Sequence, residues 1–64
     1  MDRPKVAGEH RFIGDKRTQQ VYDLEDDATP EDVIIDLVES AQYLFFAPDD
    51  LAEARNRGYR PADV

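Results

Sequence analysis

Six residues near the two ends of the chain carry the clearest potential for chemistry, five cations and one tyrosine. They are Lys16, Arg17, Arg55, Arg57, Tyr59 and Arg60. Basic side chains contact phosphate groups and a tyrosine ring stacks on bases, so this set predicts a cationic aromatic surface that would suit a nucleic acid. The alternative, which we favour, is that Arg55 and Arg57 complement the carboxyl end of a helix. Tyr59 and Arg60 would then pack on the fold and pair with acids.

The charge of the whole chain opposes such a nucleic-acid surface. The formal net charge is -7, and residues 18–54 contain eleven acids and no base. This acidity disfavours non-specific attraction to nucleic acid or to an anionic membrane. Nucleic-acid binding is therefore the second hypothesis, and contact with a protein partner is the first.

Residues that could perform catalysis or bind metal are scarce. There is no cysteine, one histidine (His10) and one serine (Ser40), so a nucleophile paired with a base is not expected. The acids of residues 23–32 lack the alternating aspartate pattern of a calcium loop and predict a solvated loop. Asp49 and Asp50 predict charges at the start of a helix. We expect no enzyme activity, no metal and no cofactor.

The elements that would position these residues begin with two short strands. The segments "HRFIG" and "QQVYDL" around a polar connection predict a β-hairpin. A helix is predicted over residues 30–41, with Thr29 as its N-cap and Pro30 in its first position. Its apolar stripe repeats every three to four residues and consists of Ile34, Leu37, Val38 and Ala41.

The second half of the chain predicts one more strand and one more helix. Residues 43–46, "YLFF", are too short for a helix and rich in aromatic residues. A second helix is predicted from Pro48 to just before Gly58. The predicted fold is therefore α+β, strand-strand-helix-strand-helix, with a three-stranded and mainly antiparallel sheet. Residues 1–9 are predicted to form a flexible arm, and residues 10–64 a single domain.

The aromatic strand also suggests an interface. Side chains alternate across a strand, and two helices leave one face of the sheet incompletely covered if both pack on the other face. Tyr43 and Phe45 are therefore candidate interface residues, unless the helices or the arm cover them. A domain of this size without disulfides has a marginal core, so a protein partner or a homodimer is expected.

Several of these segments resemble the small Ada-like zinc-binding domain found in DNA methyl-repair proteins. The opening "FIGDK" at residues 12–16, the second strand at Val21 and Tyr22, and the helix at 51–58 followed by "YRP" at 59–61 match the layout of short family members. The resemblance implies a small α+β fold that zinc once closed. It also implies that packing holds Tyr59 against the hairpin residues Phe12 and Val21.

The metal ligands of that family are missing from this chain. Asp23 stands at the position of the family's histidine, Asp26 and Asp27 lie near a cysteine position, and Ala62 replaces a further cysteine. The resemblance therefore implies a metal-free relative in which either the longer helix or association with a partner compensates for the lost zinc. The chain has no apolar run of the length of a membrane helix and no apolar run at its start, so a cytoplasmic location is expected.

Overall fold

The structure, a computed structural model, describes residues 4–62. Four strands form one sheet: β1 (Phe12–Asp15), β2 (Gln20–Asp23), β3 (Tyr43–Phe45) and β4 (Arg60–Pro61). Two α-helices connect them: α1 (Glu31–Ser40) and α2 (Leu51–Asn56). The order across the sheet is β3-β1-β2-β4. The predicted α+β class is confirmed.

The predicted number of three strands is wrong because β4 adds a fourth strand, whereas the pairing is mainly antiparallel, as predicted. β1 pairs antiparallel with both β2 and β3, whereas β4 pairs parallel with β2 and makes the sheet mixed. The N–H groups of Arg60 and Ala62 donate to the carbonyls of Gln19 and Val21, each at 2.9 Å. Two residues, one of them proline, show no alternation, so these bonds leave no pattern in the sequence.

Helix α1 covers most of the predicted segment, but its start differs from the prediction. Pro30 is the N-cap residue, and no side chain caps the first turn. The hydroxyl of Thr29 donates instead to the carbonyl of Asp23 at 2.8 Å, which ties the helix entry to the end of β2. The helix ends before Ala41, whose φ of 60° is left-handed.

Helix α2 is shorter than predicted and begins after the two aspartates. Asp50 is its N-cap, and the carboxylate accepts from the N–H of Glu53 at 2.7 Å. Arg57 is the C-cap residue, and its Nε donates to Glu53 Oε2 at 2.8 Å. The charged side chains at both ends of α2, Asp50 and Arg57, therefore form hydrogen bonds with Glu53 of the same helix.

Alternation along the strands sends side chains to two apolar clusters, one on each face of the sheet. The α1 side contains six buried residues: Ala7, Ile13, Tyr22, Leu24, Ile34 and Leu37. The α2 side contains four: Val21, Phe46, Ala54 and Tyr59. Each helix thus covers one face.

Part of the predicted N-terminal arm joins this core. Lys5–Ala7 form one 3-10 turn, and the side chain of Ala7 is buried against the α1 side. The neighbouring Val6 is exposed, as is Ile35 on α1. Neither helix within residues 4–62 is long and apolar enough to cross a lipid bilayer.

Candidate interaction site

The outer edge of β3 is the candidate interaction site. β3 is the first strand in the sheet order, so within residues 4–62 no strand lies beyond it. The N–H of Lys16 donates to the carbonyl of Gln42 at 2.9 Å, which continues the register that pairs Gly14 with Leu44. Because main-chain groups alternate in an antiparallel pair, Leu44 bonds to β1 while the N–H and C=O groups of Tyr43 and Phe45 face outward.

The side chains of these two outward-facing residues are half-buried. Tyr43 and Phe45 pack against the α1 cluster, and their rings meet edge to face with centroids 5.6 Å apart. The ring of His10 stacks on Phe45 at 4.7 Å between centroids. On the other side of the strand, Leu44 and Phe46 belong to the α2 cluster. Both faces of β3 are therefore covered, and what stays open is the edge of the strand.

An aspartate stands at one end of this open edge. The carboxylate of Asp49 accepts from the N–H of Arg11 at 2.6 Å and from the N–H of Phe12 at 3.0 Å. Phe12 directs its main-chain groups to the β3 side of β1, so Asp49 lies just beyond the carboxyl end of β3. The sequence had indicated a helix charge at this position, whereas the carboxylate holds the start of β1.

The other end of the edge follows directly from α1. The helix ends at Ser40, two residues separate it from the start of the strand at Tyr43, and no basic residue occupies its last turn. Glu39 is exposed there. The carbonyl end of a helix carries partial negative charge, which adds to the charge of Glu39 at this end of the β3 edge. The cation Lys16 lies at the same end, opposite Gln42.

The structure brings some of the predicted basic residues close together. Acidic side chains, however, form ion pairs with Arg17 and Arg57. Arg60 bonds through its backbone to Gln19, which brings the tail beside the hairpin turn that holds Lys16 and Arg17. The guanidinium of Arg17 binds Asp15 at 3.1 Å and Asp36 at 3.3 Å. Arg57 binds Glu53 within α2, as described above.

Asp15 shows how strongly Arg17 is engaged in the fold. Burial alone would raise the pKa of this carboxyl, but hydrogen bonds from the side chain and the backbone N–H of Arg17 lower the pKa below its ordinary value. The pKa of the Arg17 guanidinium is raised by its hydrogen bond to Asp15. This pair fixes the hairpin turn, so Arg17 contributes little free charge to a ligand.

Tyr59 is a packing residue, as the resemblance implied. Its side chain lies in one apolar cluster with Phe12 and Val21, and its ring meets that of Phe46 edge to face at 5.4 Å. Gly14 leaves room for both rings, since a Cβ there would lie 2.9 Å from Phe46 Cζ and 3.0 Å from Tyr59 Cε2. The predicted contact of Tyr59 with the hairpin is confirmed.

A cavity of about 260 Å³ at the opposite end of the hairpin from its turn was not predicted. It is lined in part by Arg11, Phe12, Asp23 and Leu51. Arg11 binds Asp23 through two hydrogen bonds of 3.0 and 2.9 Å, and its guanidinium lies 5.1 Å from the centroid of the Phe12 ring. Residues 11 and 23 are far apart in sequence, and only the strand register reveals their pairing.

Acidic side chains and the histidine His10 are the residue types in this chain that could bind a metal ion. Among residues 4–62, no three histidine or acidic side chains lie close enough together to hold a metal ion.

No protein-family model matches the chain, and no curated protein or solved structure matches it either. The resemblance to the Ada-like domain therefore stays a prediction.

Proposed function

We propose that this protein is a non-enzymatic interaction module that binds an extended segment of a partner protein along the outer edge of β3. The observation that supports the proposal is the outward direction of the main-chain groups of Tyr43 and Phe45 on an edge strand without charged residues. Exposed edges of this kind template the pairing of a further strand, and known peptide-binding domains use them in this way.

The geometry offers two donors and two acceptors to an added strand. An antiparallel partner would form hydrogen bonds with both the N–H and the C=O of Tyr43 and of Phe45. Each such bond contributes about 0.5–1.5 kcal/mol net, and the exposed parts of the two rings add apolar contact. The short strand favours modest affinity and a transient complex.

The proposal also covers the relationship of the fold to the Ada-like domain and the cellular location of the protein. In a metal-free relative of the Ada-like domain, packing would replace the zinc site. The cluster of Phe46 and Tyr59 over Gly14 holds the tail, and Ile34 and Leu37 of α1 fill the other face. A cytoplasmic location is part of this proposal.

Selection from a library of random displayed peptides tests the function. We expect peptides whose binding slows hydrogen exchange at the amides of Tyr43 and Phe45. Phe45→Pro removes an outward N–H without removing a bond to β1, so it should abolish binding, whereas Phe45→Val keeps that N–H and should retain most of it.

Peptides that bind equally to Phe45→Pro, or that leave the exchange of both amides unchanged, would overturn the proposal. The exchange measurement uses the unmodified protein, so it decides the question even if the proline variant does not fold.

A second candidate function, nucleic-acid binding, is favoured by one observation. The backbone bond between Arg60 and Gln19 joins the tail to the hairpin turn, and within residues 4–62 Lys16, Arg55 and Arg60 form no ion pair. A mobility shift with single- or double-stranded nucleic acid at low salt would support this function. Arg60→Ala should then weaken binding more than Arg57→Ala, because Glu53 already engages Arg57.

A further inference from the structure

We infer that the segment that binds at the β3 edge is basic, an inference that rests on the proposed function. A strand paired antiparallel with β3 would extend past both ends of this three-residue strand. At one end it would meet the carboxylate of Asp49, and at the other the carbonyl end of α1 and the exposed Glu39. Lysine or arginine at either end of the added strand would therefore be attracted.

The protein supplies few cations of its own to neutralise these ends. No base occurs in residues 18–54, which include β3 and the whole of α1. Arg11 is bonded to Asp23 and also interacts electrostatically with Asp49, and Arg17 is bound to Asp15 and Asp36. Lys16, which lies opposite Gln42, supplies one cation at the Glu39 end, against the charge of Glu39 and the carbonyl end of α1. At the Asp49 end, Nδ1 of His10 lies 3.8 Å from Oδ1 of Asp49.

A second copy of the chain is a poorer occupant of the same edge. Each copy carries a formal net charge of -7. Pairing of β3 with its own copy in antiparallel fashion would place the Glu39 end of one chain against the Asp49 end of the other. Like charges brought together in this way disfavour the complex, so charge selects a basic peptide over self-association.

Two synthetic peptides test the inference on the intact protein by NMR titration. One alternates lysine with valine, and its counterpart replaces each lysine with glutamate. We expect the lysine peptide to shift the amide signals of Tyr43 and Phe45 and to bind at least about tenfold more tightly than its counterpart. Its affinity should fall several-fold, roughly five to tenfold, when the salt concentration rises from about 0.05 to 0.5 M.

A matched pair of variants locates the effect on the protein. Glu39→Gln should weaken binding of the lysine peptide about two- to threefold, since an exposed charge pair is lost. Asp27→Asn changes the net charge by the same amount in the exposed loop after β2 and should leave affinity unchanged. Equal effects of the two variants would contradict the placement of the basic residues along β3.

The outcomes separate this inference from the function on which it rests. If both peptides bind equally at Tyr43 and Phe45, the basic preference is wrong and the edge function stands. If exchange at these amides slows with rising protein concentration and no peptide, a second copy is the occupant and the inference is overturned. If neither peptide nor any library peptide affects the two amides, the inference and the proposed function fall together.

Discussion

The two edges of the sheet differ in what they offer to another chain. Arg60 and Ala62 direct their N–H groups to β2, so the outward-facing residue of β4 is Pro61, which has no N–H to donate. At the opposite edge, Tyr43 and Phe45 present two N–H and two C=O groups without a neighbouring charge in the strand. Within residues 4–62, one edge is thus closed and the other open.

The two edges also differ in the features that protect a strand from pairing with another chain. Edges are ordinarily protected by proline, by charge or by short strands, and β4 has all three of these features. Of these three features, β3 has only its short length. A long open edge invites aggregation, and the three-residue length of β3 limits that risk. Under the proposed function, the same short edge would bind a partner strand.

The largest expected effect comes from Tyr59→Ala, which should release the closed edge. Removing this buried ring from its contact with Phe46 should cost about 3 kcal/mol, a large fraction of the stability of so small a domain. β4 should detach, so exchange at the amide of Ala62 should accelerate. Urea unfolding and amide exchange measure the two effects.

Tyr59→Phe is the control for that change, since it keeps the ring and should keep both the stability and the protection of Ala62. If Tyr59→Ala leaves Ala62 protected, the ring does not hold β4 in place, and the closed edge has another cause.

Gly14→Ala should have the next largest effect because its methyl group would crowd the rings of Phe46 and Tyr59, which pack over Gly14. The added methyl group would meet Phe46 Cζ at 2.9 Å and Tyr59 Cε2 at 3.0 Å. Such crowding costs about 2 kcal/mol of the free energy of unfolding. Introducing Phe46→Leu as well should recover part of this loss, so that the double variant is more stable than the sum of the single effects predicts. Strict additivity would contradict the contact.

Asp49→Ala should have a smaller effect at the open edge. The N–H groups of Arg11 and Phe12 would lose their acceptor, at a cost of about 1–2 kcal/mol, and both amides should exchange faster. Asp50→Ala should cost about 1 kcal/mol through loss of the helix cap without changing those amides. If the two variants gave the same exchange pattern, Asp49 would not anchor β1.

The smallest expected effect is the pH dependence of the stability that Asp15 contributes. Its bonds to Arg17 hold the turn between β1 and β2, the two strands in the middle of the sheet. The pKa of Asp15 is lowered in the folded protein, so its carboxylate stabilises the fold at pH above its ordinary value of about 3.8. That contribution is lost as the pH falls through the lower pKa of the folded state. Asp15→Asn should therefore destabilise by about 1 kcal/mol near pH 6 and progressively less below pH 4.

Urea unfolding at pH 6, 4 and 3 would measure this change. A difference between wild type and Asp15→Asn that stays constant over the range would show that the turn does not depend on the charge of Asp15.

The sequence predicted the parts of this fold that depend on local patterns. The hairpin, both helices and the third strand follow from alternation, from the apolar stripe of Ile34 and Leu37, and from turn residues. The packing of Tyr59 on the hairpin followed from the resemblance. Local signals were sufficient here because each of these elements lies within one continuous segment.

The features that escaped prediction depend on residues far apart in the chain. The hydrogen bond from Arg60 to Gln19 contributes to the pairing of β4 with β2. The bonds from Arg11 and Phe12 to Asp49 connect residues that are 38 and 37 positions apart. The sequence allowed two alternatives for Tyr43 and Phe45, an exposed face or a covered one, and in the structure packing covers both faces of β3 and leaves its edge. No periodicity encodes the position of a strand within a sheet, which decides this outcome.

Hydrogen exchange at three consecutive amides of β3 tests the central claim most directly. In the free protein, Leu44 should exchange slowly because its N–H bonds to β1, while Tyr43 and Phe45 should exchange fast. Addition of a library-selected peptide should slow both outer amides. Slow exchange at Tyr43 and Phe45 in the free monomer, or fast exchange that persists with the peptide bound, would contradict an open edge that binds a partner strand.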